Sequence, residues 1–300
     1  MYLTGFADEA ATALDVQIRV TRELGWRDIE MRKVEIEGAP AGMIHDIPEP
    51  AFRAVAEQLD AAGVRVNCFG SAIANWAHKI DAPFDITLAE VRRTIPRMQR
   101  LKTELIRIMS YAVRDAEDQM EAERFRRLRE IRCMFADAGL VVVHENCMNY
   151  GGMGWPFTLK LLENVPGLKL VFDTGNPVFS DDRGKPKPWP KQSSWEFYSH
   201  VREHVAYIHI KDGHWDARQQ KSVFTYPGEG QGDTRRIVKD LLARGYDGGI
   251  SIEPHMGAVF HDPASQRSLD ACEIYMEYGR RMMAMIDELR AELKPPARQP

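Results

Sequence analysis

One local pattern recurs four times and limits what this chain can fold into. A helix ends in small or polar residues and a glycine, and a short β-rich run follows at once. The unit appears as ELGWRDIEM at 23–31, AAGVRVNCF at 61–69, DAGLVVVHE at 137–145 and ARGYDGGISIE at 243–253. The glycine suits the left-handed position just past a helix C-terminus. The runs that follow are short and β-branched, as strands buried on both faces are. Residues 3–7, 104–109, 168–173 and 205–211 read as four further strands. Helical patterns fall between them at 10–24, 51–62, 86–101, 117–138, 156–163, 194–203, 234–244 and 268–293. Eight strands alternating with eight helices predict a parallel sheet, and right-handed crossovers repeated eight times close it into a (β/α)8 barrel. The rival is an open doubly wound sheet, whose dinucleotide form needs a GxGxxG after the first strand; none is present. With no interdomain linker in view, residues 1–293 are expected to form one α/β domain. The proline-rich 294–300 reads as a loose tail. The polar, proline-rich stretch DDRGKPKPWPK at 181–191 reads as a solvated loop, a lid or a subunit contact.

Composition narrows the partners. Of 300 residues, 44 % are hydrophobic and 28 % charged, which excludes a disordered chain. The formal net charge is −4, so neither nucleic acid nor an anionic membrane is expected as the main partner. MYLTGFADEA has neither a basic n-region nor an apolar h-region, and no apolar run approaches the roughly 18 residues a membrane span needs. Cys68, Cys133, Cys147 and Cys272 lie far apart with no CxxC, as reduced thiols of a cytoplasmic protein do. A homo-oligomer or a complex with a small partner subunit is expected.

A barrel carries its chemistry at the carboxyl ends of its strands. Four residues there stand out: Glu145 in VVVHE, Asp173 in LVFD, His209 in AYIH and Glu253 in ISIE. A carboxylate ending an apolar strand must be paired, hydrogen-bonded or bound to metal, because a lone buried charge is too costly. Three carboxylates and one imidazole suit one divalent cation, Mn²⁺ first, with Mg²⁺ or Co²⁺ next and Zn²⁺ less favoured. The strand ends supply other candidates. Glu30 and Arg32 can bind sugar hydroxyls, and Lys211 can stabilise an enolate oxygen. His144, beside Glu145, is a candidate base, although adjacent strand residues point to opposite faces. His255 and His214 are candidate proton donors. Trp76, Trp155, Trp195 and Trp215 lie in or near rim loops, where aromatic rings stack on ligands or pack as caps. Gly228, Gly230 and Gly232 precede no Lys-Ser/Thr and so form no P-loop; a tight loop with Asp233 as the N-cap of the next helix is expected.

These motifs in this order resemble the xylose isomerase-like TIM-barrel superfamily, in particular its sugar-phosphate isomerase/epimerase group. The carriers are FADE at 6–9, IEMR at 29–32, HEN at 144–146, FDTGN at 172–176, IHIKDG at 208–213, PGEGQGD at 227–233 and SIEPH at 251–255. The resemblance covers nearly the whole chain. It implies that Glu145, Asp173, His209 and Glu253 hold one metal. In the ketose 3-epimerase branch it further implies that the two glutamates form an acid/base pair. The chain departs from that branch at two substrate-holding positions: Asn176 stands where the epimerases have histidine, and Trp215 where they have arginine. The large subunits of bacterial C-glycoside deglycosidases look similar too, which implies elimination from a 3-keto-glycoside and a small partner subunit. The expectation is therefore a metal-dependent enzyme that abstracts a proton α to a carbonyl of a sugar, cyclitol or keto-glycoside. Glu145, Glu253, His144 and Lys211 are its catalytic candidates. Glu30, Arg32, Asn176, Trp215 and His255 are its substrate-binding candidates. A non-catalytic sugar-binding or scaffold barrel is the alternative from another class.

Overall fold

The computed structural model describes residues 1–257 and 270–294. Eight strands share one sheet: β1 (Tyr2–Gly5), β2 (Asp28–Met31), β3 (Arg65–Gly70), β4 (Leu105–Ile108), β5 (Val141–Glu145), β6 (Lys169–Asp173), β7 (Val205–Ile210) and β8 (Gly249–Ile252). From β2 to β8 each strand pairs in parallel with the next, and β1 returns to pair with β8 from Tyr2–Gly249 to Gly5–Ile252. The β1–β2 seam has no continuous ladder. It is closed by a bridge between Phe6 and Glu30 and by Thr4 Oγ1, which donates to the Asp28 carbonyl at 2.9 Å.

Helices cover the outside: α1 (Leu14–Glu23), α2 (Glu49–Ala62), α3 (Phe84–Leu101), α4 (Glu121–Asp137), α5 (Trp155–Asn164), α6 (Ser194–Val201), α7 (Thr234–Ala243) and α8 (Ala271–Leu293). The chain's own pattern explains them. In α2 the buried Phe52, Val55, Ala56 and Leu59 recur at helical spacing. Burying each of the three larger side chains is worth about 1.5–3 kcal/mol. Gly63 then stops the helix at φ 64°, a left-handed conformation that costs a residue without Cβ nothing. The same sign of φ recurs at Gly25, Gly139 and Gly245, the glycines of the other three repeats.

Several boundaries move. Residues 7–9 make a separate 3₁₀ turn before α1. α4 begins at Glu121 because Gln119 Nε2 donates to the carbonyls of Arg114 and Ala116, folding the preceding segment into a turn. The expected start of α8 at 268 lies outside the described residues, as does 295–300 of the expected tail. Two antiparallel hairpins were not expected: Lys33–Ile36 with Ala39–Met43, and Asp212–Asp216 with Lys221–Thr225. Both rise from strand ends and wall the site below. The 181–191 insertion is tied at its base by an Asp181–Lys191 bridge and by Gln192 Nε2, which donates to the Gly152 and Asp181 carbonyls.

Inside the barrel the side chains stack in layers. Cys68, Val143, Val171 and Tyr207 form a buried apolar cluster separate from the main core between sheet and helices. Two residues further along β5, β6 and β7 stand Glu145, Asp173 and His209.

Candidate active site

Strand alternation brings four of the sequence-predicted residues to one point. Glu145, Asp173, His209 and Glu253 each offer one ligand atom, and these atoms lie within 4.8 Å of one another, all buried. Three of their polar atoms, His209 Nδ1, Asp173 Oδ2 and Glu253 Oε2, are buried and make no hydrogen bond. Converging buried lone pairs without hydrogen bonds, two of them answered only by the Lys211 ammonium, are what a divalent cation fills, and an imidazole with three carboxylates is a suitable donor set. These residues fit the metal expected of charged side chains that end apolar strands.

Positive side chains surround the quartet. Arg107 Nη1 donates to Glu145 Oε2 at 2.8 Å, and Arg32 Nη1 donates to Glu253 Oε1 at 3.0 Å. Lys211 Nζ sits 3.0 Å from Asp173 Oδ2 and 2.8 Å from Glu253 Oε2, at ion-pair distance without hydrogen-bond geometry. The protonation energetics follow from these contacts. Burial alone would raise Glu145, but Arg107 and His209 pull it down to about 2. Burial raises Asp173 to about 6, and the Lys211 ammonium offsets only part of that rise. Burial also opposes ionisation of Glu253, yet Lys211, His255 and Arg32 hold it well below the usual carboxylate range. Burial disfavours a charged His209, but Glu30 and Glu145 raise it to about 10.

Glu30 has a different place from the expected one. It does not line the cavity. Fully buried, it faces His209 Nε2 at 3.1 Å and accepts from the Tyr207 hydroxyl at 3.0 Å. A carboxylate holding one ring nitrogen fixes the tautomer and turns the other nitrogen, Nδ1, toward the quartet. The correction has a simple cause: a strand end in sequence does not give depth in the lumen, and Glu30 stands one layer below the ligands.

His144 is the second correction. It occupies the strand position before Glu145 and so points the opposite way, out of the lumen. Its Nε2 lies 3.0 Å from Ser110 Oγ and 3.2 Å from Asn149 Oδ1. Its ring packs so closely on Gly151 that a Cβ there would meet Cε1 at 2.3 Å. Burial lowers its pKa to about 4, so it stays neutral. It braces the β5 loop and has no access to the cavity.

The remaining candidates do meet. Arg32, Glu145, Asn176, Lys211, Trp215, Glu253 and His255 line one cavity of about 320 Å³. Asn176 links two of the charged groups, donating from Nδ2 to Glu145 Oε1 at 3.1 Å and accepting from Lys211 Nζ at 3.1 Å. The His255 Nδ1 lies 2.8 Å from Glu9 Oε1, and its Nε2 lies 3.9 Å from Glu253 Oε1. His214 is not in the lining. Of the four rim tryptophans, Trp76 and Trp215 reach the cavity; Trp155 instead stacks on His200, and Arg236 covers Trp195. The glycine loop wraps a carboxylate of the protein itself: Gly228 N and Gly232 N donate to Asp212 at 2.7 and 2.9 Å. Asp212 also accepts from Thr234 Oγ1, whereas Asp233 makes no side-chain cap.

Arg107, in the apolar run LIRI of β4, joins the site beside Glu145 although it is not among the expected catalytic or binding residues. The floor of the cavity is charged. Its upper wall is apolar, with Met43, Trp76, Met109, Phe179, Trp215 and Phe224 drawn from both hairpins, two loops and the short helix Asn176–Phe179. Nothing in the sequence marked Met43 or Phe224, because neither hairpin was foreseen.

A family model described as xylose isomerase-like TIM barrel matches residues 18–275. The chain belongs to that family. No curated protein sequence matches it. Solved structures share the fold at low identity. A probable 3-DHS dehydratase, AsbF, from Bacillus anthracis is 16 % identical, with TM-score 0.69 over 94 % of this chain and 98 % of that one. A xylose isomerase-like TIM barrel protein from Mycobacterium smegmatis, solved in complex with magnesium, is 15 % identical, with TM-score 0.66 over 96 % and 97 %. An L-ribulose 3-epimerase is 15 % identical, with TM-score 0.64 over 99 % and 98 %. Among the described residues no helix is long and apolar enough to cross a membrane.

Proposed function

We propose that this chain is a divalent-metal-dependent enzyme that abstracts a proton α to a carbonyl of a sugar, cyclitol or keto-glycoside. The observation that carries the reading is the convergence of four buried ligand atoms within 4.8 Å, two of them from Glu145 and Glu253, which line the cavity. Glu145, Asp173, His209 and Glu253 would hold the ion, with Mn²⁺ the first choice and Mg²⁺, Co²⁺ and Zn²⁺ the others. When bound, such an ion polarises a carbonyl or hydroxyl oxygen and so acidifies the adjacent C–H. The chain's own side chains do the rest. Glu145 and Glu253 are the two carboxylates placed to take and return that proton. Arg107 and Asn176 orient the first, and Arg32 orients the second. The Lys211 ammonium, buried beside Asp173 and Glu253, supplies a fixed positive charge for a developing enolate oxygen.

The apolar upper wall favours a second reading, elimination from a 3-keto-glycoside. A base removes the proton α to the 3-ketone, and the aglycone leaves from C1. A charged floor with an aromatic wall suits a polar ring bearing an apolar substituent. His255, held at Nδ1 by Glu9, is the cavity histidine placed to protonate the leaving group. This reading carries with it a small partner subunit.

One experiment separates the readings. The metal-loaded protein is incubated in D₂O with keto sugars and with 3-keto-glycosides. Deuterium at the α-carbon without release of an aglycone supports isomerisation or epimerisation; aglycone release supports elimination. Absence of both, across metals and with a cognate small subunit added, overturns the proposal.

A further inference from the structure

A second cluster lies outside this site. His45 and Asp46 follow the first hairpin, and Glu90 sits on α3. The three offer ligand atoms within 4.8 Å of one another. His45 is fully buried, and neither of its ring nitrogens has a hydrogen-bond partner among the described residues. Its Nε2 points between two carboxylates, 3.5 Å from Asp46 Oδ2 and 3.5 Å from Glu90 Oε1.

That spacing is informative. A charge-assisted hydrogen bond from an imidazolium to a carboxylate runs at about 2.7–2.9 Å. Both contacts here are too long for one. Ligands at about 2.0–2.2 Å from a tetrahedral Zn²⁺ stand about 3.3–3.5 Å from each other. An imidazole nitrogen 3.5 Å from each of two carboxylate oxygens therefore matches two edges of a metal site, with the third within 4.8 Å. The surroundings agree. Arg93 Nε donates to the other Asp46 oxygen, Oδ1, at 2.6 Å, which turns Oδ2 toward the cluster as outer hydrogen bonds orient metal ligands. Asp46 is more than a third exposed, so an ion has a route in from solvent. A buried imidazole left without a partner is otherwise a standing cost to the fold.

We propose that His45, Asp46 and Glu90 form a second divalent-cation site, of the zinc type, distinct from the strand-end quartet. Water completes its coordination. The ion ties the 44–47 loop to α3, where Arg97 already grips the carbonyls of Ile44 and Ile47 at 2.9 and 2.6 Å. Ile44 N in turn bonds the Arg32 carbonyl at 3.0 Å, and Met43 and Lys33 line the active cavity. The site thus braces one wall of that cavity from outside.

The test is calorimetric titration of the full-length, metal-stripped protein with Zn²⁺, with bound metal checked by elemental analysis. It is run in a His209→Ala background so that the quartet does not contribute. The expected result is about one Zn²⁺ bound per chain, lost when Glu90→Gln is added. Asp46→Asn, at a half-exposed position, is the second variant should Glu90→Gln fold poorly. Co²⁺ in place of Zn²⁺ should give the visible absorption of a tetrahedral site, absent in the same variants. No Zn²⁺ bound in the His209→Ala protein, or binding unchanged by both added substitutions, overturns the proposal. Failure of the quartet itself shows separately, as equal metal content in wild type and His209→Ala.

Discussion

Two layers of the barrel lumen, one above the other on the same strands, differ in what they contribute. Val143, Val171 and Tyr207 sit with Cys68 in an apolar layer. Two residues later on the same strands come Glu145, Asp173 and His209, buried just as completely but charged. The lower layer gains free energy by burial, and in it the Tyr207 hydroxyl takes hydrogen-bond partners, Glu30 and Asn67. The upper layer is stable only because each charge is answered: Glu145 by Arg107, Asp173 by Lys211, Glu253 by Arg32 and Lys211, His209 by Glu30. The layers are joined where the Tyr207 hydroxyl donates to Glu30 and Glu30 holds His209. The difference separates stability below from chemistry above, with Glu30 as the hinge between them.

Substitutions can break or sharpen that division. The largest effect is expected from Glu145→Gln and Glu253→Gln. Each should lower turnover by about 10³-fold or more, within the range of a lost general acid or base. Activity within tenfold of wild type in either variant would remove the acid/base assignment. Lys211→Met strips the counter-charge from Asp173 and Glu253. Breaking a buried pair from one side costs about 3–5 kcal/mol, so the metal-free variant should unfold much more readily and recover on addition of Mn²⁺. A variant as stable as wild type without metal would show that Lys211 does not balance the site. Glu30→Gln should weaken metal affinity by about 10–100-fold, as loss of a histidine-orienting carboxylate does, read by competition with a chelator. Unchanged affinity would return Glu30 to the lower layer as a purely structural group. Val171→Ala should cost about 2 kcal/mol in denaturant unfolding and leave metal content unchanged. A loss of metal there would show that the layers are not separable.

Much of the architecture was legible because the helix–glycine–strand unit is local. Gly25, Gly63, Gly139 and Gly245 each fall where a left-handed residue must end a helix. The two hairpins were not legible. Residues 33–43 and 212–225 carry weak alternation, and their contacts are with the rim, which only the closed barrel defines. The quartet could be read because a charge ending an apolar run is locally anomalous. Glu30 and His144 were misplaced for opposite geometric reasons: Glu30 faces the lumen at the wrong depth, and His144 is at the right depth facing outward. His45 gave no signal, because what marks it is the carboxylate of Glu90, 45 residues away in sequence.

The most direct measurement is the metal content of the purified full-length protein against His209→Ala, by elemental analysis after equilibration with Mn²⁺ and removal of excess. The account predicts about one ion per chain fewer in the variant, with the fold retained by circular dichroism. Equal metal in the two proteins, whether one ion or none, would contradict it.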